Sequence, residues 1–235
     1  MGSKCRNPPA PIQRQLRQEA NFGCARCGCP ILDNAHIIPY HITHAFLTED
    51  MIAFCPTCHR IADDGHYLEE YLRMLKANPH NKIKVGERFL IEGKDLIVNI
   101  DNSLQFRNTP RVLTINDFDI ISIKKIEGGF LSLDINFFDK FNSLIGIILE
   151  NSWTVDTTLV WDLEYKPQHL IIRNAPRNIA FEARIEKGEV FLNAEMYFKG
   201  HQFKMNADGF WYRERNIRLS EFSVVGFPQG ISIQV

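Results

Sequence analysis

Four cysteines near the start of the chain have the spacing of a metal site. They form two Cys-x2-Cys pairs, Cys24 with Cys27 and Cys55 with Cys58. Two such pairs supply the four thiolates of a closed tetrahedral zinc site, and this spacing is a specific signal. The sequence therefore predicts one structural Zn²⁺ ion bound by these four residues.

Two histidines beside these cysteines add a second kind of chemistry. His36 begins the segment His-Ile-Ile-Pro between the cysteine pairs, and His59 follows Cys58 directly. An imidazole with an ordinary pKa of about 6.5 can accept a proton at neutral pH. A zinc ribbon requires neither histidine.

This combination resembles the HNH endonucleases, a family with a ββα-metal fold. The resemblance covers roughly residues 12–66, and it implies a zinc-stabilised hairpin against a helix and hydrolysis of DNA to 5′-phosphate and 3′-hydroxyl products. It implies that His36 is the general base and that His59 binds a catalytic Mg²⁺ or Mn²⁺ ion. The central motif asparagine of the family corresponds to Asp50, which keeps an acceptor oxygen but lacks the amide donor.

Asp63 is the second ligand predicted for the catalytic metal ion. It follows His59 by one helical turn, so the two side chains share a helix face. Asp64 has a different angular position and is a poorer candidate. The family often has a metal-binding residue directly before the base, but here that residue is Ala35, which leaves one ligand position open. The candidates for this position are Asp33, Asn34, His41 and His44.

The other cysteines and the nearby arginines have weaker assignments. Cys29 is an alternative zinc ligand in place of Cys27, although the paired spacing favours Cys27. Cys5 and Cys29 are otherwise expected to be free thiols. Four arginines flank the motif and are candidates for contacts with substrate phosphates, with Arg26 and Arg60 preferred. The full set is Arg14, Arg17, Arg26 and Arg60.

Composition and periodicity predict two domains. The chain has 235 residues, 45% of them hydrophobic, and all six cysteines lie between Cys5 and Cys58. We predict an α+β protein with an HNH nuclease domain over residues 1–82 and an all-β domain over residues 83–235. In the first domain, the pattern predicts helices over 12–20, from 56 onward and over 67–75, a loop over 40–49, and strands over 31–38 and 51–54.

The second predicted domain contains about a dozen β-rich runs separated by glycine-containing turns, which indicates a sandwich, a roll or a strand-stacked solenoid, and the lack of a clear sequence repeat favours the first two. It has no cluster of metal ligands, no phosphate-binding loop and no catalytic triad pattern. We therefore expect it to serve regulation, targeting or assembly, through self-association or through a partner protein.

Charge and hydropathy restrict the partners. The net charge is −1, and the first 80 residues contain eight Lys/Arg and eight Asp/Glu. Such a surface creates no basic field that attracts DNA over long range, although a bound cation would add local positive charge. Paired metal-binding thiols, the lack of a signal peptide and the lack of a membrane-length apolar run predict a cytoplasmic protein that does not associate with membranes.

Together these features predict a metal-dependent endonuclease that cuts DNA, with RNA as a second candidate substrate. By analogy, its setting is a bacterial or phage defence system, in which the β domain or a partner controls activity. The alternative hypothesis is a non-catalytic, zinc-dependent module that binds nucleic acid or protein.

Overall fold

The computed structural model describes residues 7–235, so that Cys5, one of the two predicted free thiols, lies outside the described residues. The chain is mostly β, with 48% of residues in strands and 16% in helices. This mixture agrees with the predicted α+β class. No helix within residues 7–235 is long and apolar enough to cross a lipid bilayer.

The N-terminal region, residues 7–82, contains short helices around one hairpin. Its boundaries agree with the sequence pattern to within a few residues, except that the predicted loop over 40–49 contains a four-residue helix and a 3₁₀ turn. The elements are α1 (Ala10–Glu19), β1 (Asp33–His36), α2 (Tyr40–Thr43), the 3₁₀ turn Thr48–Asp50, β2 (Met51–Phe54), α3 (Pro56–Asp63) and α4 (Glu69–Ala77).

The hairpin of β1 and β2 is the centre of this region. The strands are antiparallel, with His36 opposite Met51. All four residues of β2 are buried, because α1 covers one face of the strand and α4 covers the other. Leu16 of α1 packs with Met51, whereas Leu72 of α4 packs with Phe54. This packing fixes the end of β1 that carries His36.

Helix α3 is short because its sequence specifies both ends. Pro56 occupies the first turn, where its missing N–H costs nothing, and the sulfur of Cys55 caps the helix by accepting from the amide of Cys58 at 3.5 Å. Gly65 ends the helix with φ of +78°, and the amides of Gly65 and His66 donate to carbonyls of the last turn in a Schellman pattern. Two helical turns remain to present side chains.

The β region, residues 83–235, begins with eight strands. Most of them pair with the strand that precedes or follows them in the sequence. Strands β6 to β10 form an antiparallel meander, and β3 pairs with β10 at its edge. Residues 89–91 (Phe-Leu-Ile), one of the β-rich runs of the sequence, are instead irregular chain after β3. The strands are β3 (Lys84–Arg88), β4 (Ile97–Ile100), β5 (Leu104–Arg107), β6 (Arg111–Ile115), β7 (Phe118–Lys125), β8 (Leu131–Phe138), β9 (Leu144–Leu149) and β10 (Ser152–Asp156).

Nine further strands complete the β region. Strands β11 to β17 form a second antiparallel meander, and three parallel pairings, β14 with β4, β18 with β5 and β19 with β6, join the later strands to the earlier ones. They are β11 (Asp162–Lys166), β12 (His169–Ala175), β13 (Asn178–Glu186), β14 (Glu189–Phe198), β15 (His201–Asn206), β16 (Gly209–Tyr212), β17 (Ile217–Leu219), β18 (Phe222–Val225) and β19 (Gln229–Ile233).

One hydrophobic core runs through the β region. It includes residues of both meanders, and the rings of Phe137 on β8 and Phe181 on β13 stack with centroids 4.5 Å apart. The seventeen strands of residues 83–235 exceed the dozen that the sequence indicates. Short strands such as β5 and β17, of four and three residues, give too brief a pattern to be counted from the sequence, and pairing with neighbours defines them.

Helix α1 connects the two regions. Arg17 makes a bidentate ion pair with Asp162 of β11, at 3.0 and 2.8 Å, and the Asp162 side chain is only 4% exposed. Arg14 lies over the ring of Trp161 at 4.3 Å, and Phe22 packs into the β core. Because α1 also packs on β2, it contacts the hairpin and the β region at the same time.

Candidate active site and metal centre

The four paired cysteines come together as the sequence predicts. The sulfur atoms of Cys24, Cys27, Cys55 and Cys58 all lie within 4.8 Å of one another. Cys27 Sγ is 3.7 Å from Cys55 Sγ and 3.8 Å from Cys58 Sγ. Four sulfurs about 2.3 Å from one zinc ion are about 3.8 Å apart, whereas a disulfide requires about 2.05 Å. The cluster therefore has the dimensions of a tetrahedral metal site.

Tight backbone turns shape the first cysteine pair. The amide of Gly28 donates to the carbonyl of Cys24 at 2.8 Å, and the amide of Cys24 donates to the carbonyl of Cys29 at 2.8 Å. Gly28 has φ of +79°, where a side chain would also meet His80. Cys29 thus contributes its carbonyl to the turn, while its sulfur is not part of the four-sulfur cluster.

Burial acts against thiolate formation at the cluster. It raises the pKa of Cys24 far above its ordinary value, and it also raises the pKa of Cys58. At Cys55 burial acts in the same direction, but hydrogen bonds from Cys58 and neighbouring thiols outweigh it and lower the pKa. A divalent cation reverses this balance, since it binds thiolates and neutralises their charge.

Arg26, a predicted phosphate contact, lies beside the cysteine cluster. Its Nη1 points at Cys58 Sγ at 3.9 Å, and its guanidinium lies over the ring of Tyr67 at 5.4 Å. A guanidinium next to a thiolate offsets negative charge on a four-thiolate site. Arg26 is exposed, so these contacts leave donors free for solvent or a ligand.

His36 lies at the end of β1, beside a surface cavity. The imidazole packs against the rings of Tyr40 and Phe46, with centroid distances of 5.7 and 5.9 Å. Its Nε2 atom is buried and, among the described residues, makes no hydrogen bond. A buried ring nitrogen without a partner is costly, and a water molecule or ligand bound to it would remove that cost.

The charge state of His36 suits a base. Burial is the main cause that lowers its pKa below the ordinary value of 6.5, and the neighbouring His59 acts in the same direction. Asp63 opposes this shift. The net effect keeps the imidazole neutral at neutral pH, which is the form that can accept a proton.

His59 lies between two carboxylates. Its Nδ1 is 3.4 Å from Asp33 Oδ2, and its Nε2 is 3.6 Å from Asp63 Oδ2. Asp33 is at the start of β1, whereas Asp63 is one turn further along α3. A carboxylate that accepts from one ring nitrogen of a histidine fixes the tautomer and leaves the other nitrogen free for a metal ion. Asp33 could therefore orient the ring of His59, which would leave Nε2 and Asp63 to a metal ion.

His36, His59 and Asp63 line one cavity of about 550 Å³. Two atoms bound to one Mg²⁺ or Mn²⁺ ion at about 2.1 Å are at most about 4.2 Å apart, so His59 Nε2 and Asp63 Oδ2 fit a shared ion. Such ions commonly take only one or two protein carboxylates and complete their coordination with water and substrate phosphate. The residues present are thus compatible with an exchangeable divalent cation.

Asp50, the predicted counterpart of the motif asparagine, makes other contacts. Its carboxylate pairs with Arg73 of α4 at 3.1 Å, and its backbone carbonyl accepts from the amide of Ile37 at 2.7 Å. Asp50 therefore secures the residue next to His36 through the main chain, and its side chain is not among those lining the cavity.

The other candidates for the open ligand position of the catalytic metal ion differ in their contacts and exposure. Asp33 is the one that contacts His59. Asn34 is half-buried on β1, and His41 and His44 are exposed around α2. Asp64, the poorer alternative to Asp63, pairs with Arg60 at 3.3 Å.

The other arginines predicted to contact phosphate differ in their availability. Arg14 and Arg17 are engaged with Trp161 and Asp162 of β11. The side chain of Arg60 is 78% exposed on α3 and has only a single-turn ion pair with Asp64. Arg60 therefore keeps the freedom that a phosphate contact requires.

Tyr67 is a residue of the cavity that the sequence pattern does not single out. Its hydroxyl is buried and, within residues 7–235, has no hydrogen-bond partner, and its ring lines the same cavity as His36. In the sequence it reads as part of the helical stripe over 67–75, but it precedes α4 and is held by packing against Phe54 and Tyr71. The only sequence signal for Tyr67 is its position directly before Leu68, the N-cap residue of α4.

Comparison of the chain with protein-family models, with curated proteins and with solved structures found no match.

Proposed function

We propose that this protein is a metal-dependent HNH endonuclease that hydrolyses phosphodiester bonds in DNA. The observation that carries the proposal is the convergence of His36, His59 and Asp63 on one cavity, separate from the four-cysteine cluster. A purely structural zinc module requires the cluster but not a neutral histidine with an unpartnered buried nitrogen beside an imidazole–carboxylate pair. The antiparallel hairpin followed by α3 is also the arrangement that the family resemblance implies.

Each residue of the site has a role that its contacts support. His36 accepts the proton of the attacking water, and Tyr40 and Phe46 hold its ring in place. His59 and Asp63 would hold a Mg²⁺ or Mn²⁺ ion, which supplies positive charge next to the scissile phosphate when bound.

Asp33 and Asp50 would act as positioning residues. Asp33 orients His59 through Nδ1, and Asp50 fixes the chain beside His36 through its backbone carbonyl. Arg26 and Arg60 are the substrate-binding cations that we assign to this surface, with Arg60 the freer of the two.

The structural zinc ion and the β region complete the proposal. Zinc bound by Cys24, Cys27, Cys55 and Cys58 would join the start of α3 to the turn before β1, and thiolate ligation fits the reducing cytoplasm. Because α1 contacts both β2 and β11, a partner or second copy bound to the β region could influence the hairpin through α1. A defence effector controlled in this way is the biological setting we favour.

The direct test is a cleavage assay with purified full-length protein. Plasmid, linear and single-stranded DNA, with RNA in parallel, are incubated with Mg²⁺, Mn²⁺ or EDTA. We expect nicking or cutting of DNA that requires a divalent ion and that EDTA abolishes. Cleavage of RNA alone would show that the substrate is RNA and not DNA. No cleavage of any nucleic acid under these conditions would contradict the proposal.

Two neighbouring aspartates provide a matched pair of variants. Asp63→Ala removes a proposed metal ligand, so we expect cleavage to fall at least tenfold at low Mn²⁺ and to recover partly at high Mn²⁺. Asp64→Ala removes a carboxylate that pairs with Arg60 and should leave cleavage close to that of the wild type. Equal losses in both variants would argue against metal binding at Asp63.

A second function has specific support. A non-catalytic module that binds nucleic acid or protein through its zinc-ordered surface agrees with Ala35 in place of a metal ligand and with the engagement of Asp50 by Arg73. In that case wild type and His36→Ala would bind DNA equally well and neither would cut it.

A further inference from the structure

One face of the β region carries a continuous row of polar and aromatic side chains across six strands. Strand register places each member of the row opposite the next, so their side chains point to the same face of the sheet. Five strand spacings of about 4.8 Å give the row a length of roughly 24 Å. From β12 to β18 the row is His169, Arg184, Phe191, Asn99, Gln105 and Ser223.

The row lies in a groove. Two adjoining depressions of about 320 and 630 Å³ share Asp101 and Phe191 as lining residues. The residues that alternate with the row along β13 and β14, such as Ala183 and Val190, are buried in the core on the opposite side. We call this feature the β-face groove, and its size is that of a site for a small ligand or a short chain of linked units.

Hydrogen bonds hold the polar side chains of the groove in place before any ligand binds. Asn99 is only 6% exposed, donates to Glu189 at 2.9 Å and accepts from Gln105 at 3.0 Å. His169 Nε2 and Glu182 Oε1 are 2.7 Å apart. Asparagine is unfavourable in strands, and a fixed polar network loses less entropy on binding than free side chains do.

The charges of the groove exclude polyanions. Its carboxylates outnumber its single guanidinium, Arg184, so phosphate groups are repelled and the groove does not extend a nucleic-acid site. The carboxylates are Asp101, Glu182, Glu189 and Glu221.

The other groups of the groove match sugar hydroxyls. The amides of Gln105 and Asn193 can donate and accept, as neighbouring sugar hydroxyls do, while the nearly buried Asn99 holds Gln105 in place. A pyranose would stack its C–H face on the flat apolar ring of Phe191 in place of the guanidinium of Arg184, which lies 4.7 Å from the ring centroid. We propose that the β-face groove binds a neutral oligosaccharide.

The test begins with full-length protein on an array of neutral oligosaccharides, followed by calorimetry with the saccharide that binds best. Phe191→Ala and Gln105→Ala should each weaken binding by about tenfold. Trp211→Ala is the matched control, because Trp211 is an aromatic residue of the same region that lies between Lys204 and Arg218, away from the groove. This variant should bind like the wild type, and melting temperatures verify folding.

The outcomes are distinct from those of the cleavage assay, since binding here needs neither the metal ion nor DNA. Failure to bind any saccharide on the array would overturn the proposal. Binding of tetralysine instead, lost in Phe191→Ala, would also overturn it and would assign the groove to a basic peptide. Equal loss of saccharide binding in Trp211→Ala would show that the ligand does not occupy the groove.

Discussion

The N-terminal region and the β region are stabilised by different means. In the β region one core of buried aliphatic and aromatic side chains runs through nearly all the strands. The N-terminal region has two small buried clusters, and the larger one includes the metal-site residues Cys24, Cys55 and Cys58. A region of this size buries a smaller fraction of its surface than a larger domain does, so its apolar core contributes less stability. The proposed chemistry therefore lies in the region with the smaller apolar core, whose four clustered cysteines could hold a metal ion such as zinc.

Removal of zinc should have the largest effect and should be confined to the N-terminal region. Binding of structural zinc contributes roughly 10–16 kcal/mol in comparable sites. Cys58→Ser should therefore lose the ion and most amide protection in residues 7–82, while the strands of the β region keep theirs. Zinc analysis combined with hydrogen exchange measures both.

Cys29→Ser is the control for this experiment, because the Cys29 sulfur is outside the cluster. Zinc content and exchange should stay at the wild-type level in this variant. Retention of zinc in Cys58→Ser, or equal loss in Cys29→Ser, would show that the ligand set is wrong.

Loss of the general base should separate chemistry from stability. His36→Ala should reduce the cleavage rate by about 10²–10⁴ with unchanged zinc content, because His36 takes no part in the four-sulfur cluster. His201→Ala, which removes a histidine bonded to Tyr212 in the β region, should leave the cleavage rate per folded molecule unchanged. Normal cleavage by His36→Ala would show that His36 is not the general base.

A cavity in the β core should destabilise the β region without releasing zinc. Phe181 is 1% exposed and stacks on Phe137, so Phe181→Ala should cost about 3–5 kcal/mol. Denaturant unfolding measures the loss, and zinc content in native buffer should not change. Phe141 is 77% exposed, and Phe141→Ala should change stability by less than about 0.5 kcal/mol.

Weakening of the α1–β11 contact should reveal how strongly the two regions are coupled. Arg17→Ala leaves the buried carboxylate of Asp162 with only Arg173, at 3.7 Å, so we expect a loss of about 1–3 kcal/mol. Hydrogen exchange should rise in α1 before it rises in the strands. Arg60→Ala, which breaks an exposed ion pair, should have almost no effect on stability.

The smallest effect is a shift in pH dependence. Because burial and His59 lower the pKa of His36, the acid limb of cleavage should lie below pH 6.5, and a bound divalent cation would move it in the same direction. Because the pKa of His36 is lower in the folded than in the unfolded protein, this residue makes its full contribution to stability above pH 6.5. That contribution is lost as the pH falls through the folded-state pKa. A limb above pH 6.5 in the pH–rate profile would identify a different base.

Some elements of the site could be predicted because they are local in sequence. The spacing of Cys24 and Cys27 fixes a turn that brings both sulfurs into the same cluster, and His59 and Asp63 share a face through helical geometry alone. Pro56 and Gly65 likewise define the ends of α3. These predictions required no knowledge of the rest of the fold.

The tertiary structure decided the contacts between residues that are distant in sequence. Nothing in the spacing indicates that Asp33 contacts His59, that Arg73 pairs with Asp50, or that Arg17 binds Asp162 instead of a phosphate. The β-face groove likewise arises from strand register, which joins Asn99 to Phe191 across a separation of more than ninety residues. The local sequence determines the backbone conformations that are allowed and the chemistry of each side chain. Which partner a side chain contacts depends on how the helices and strands pack, and this packing is a property of the whole chain.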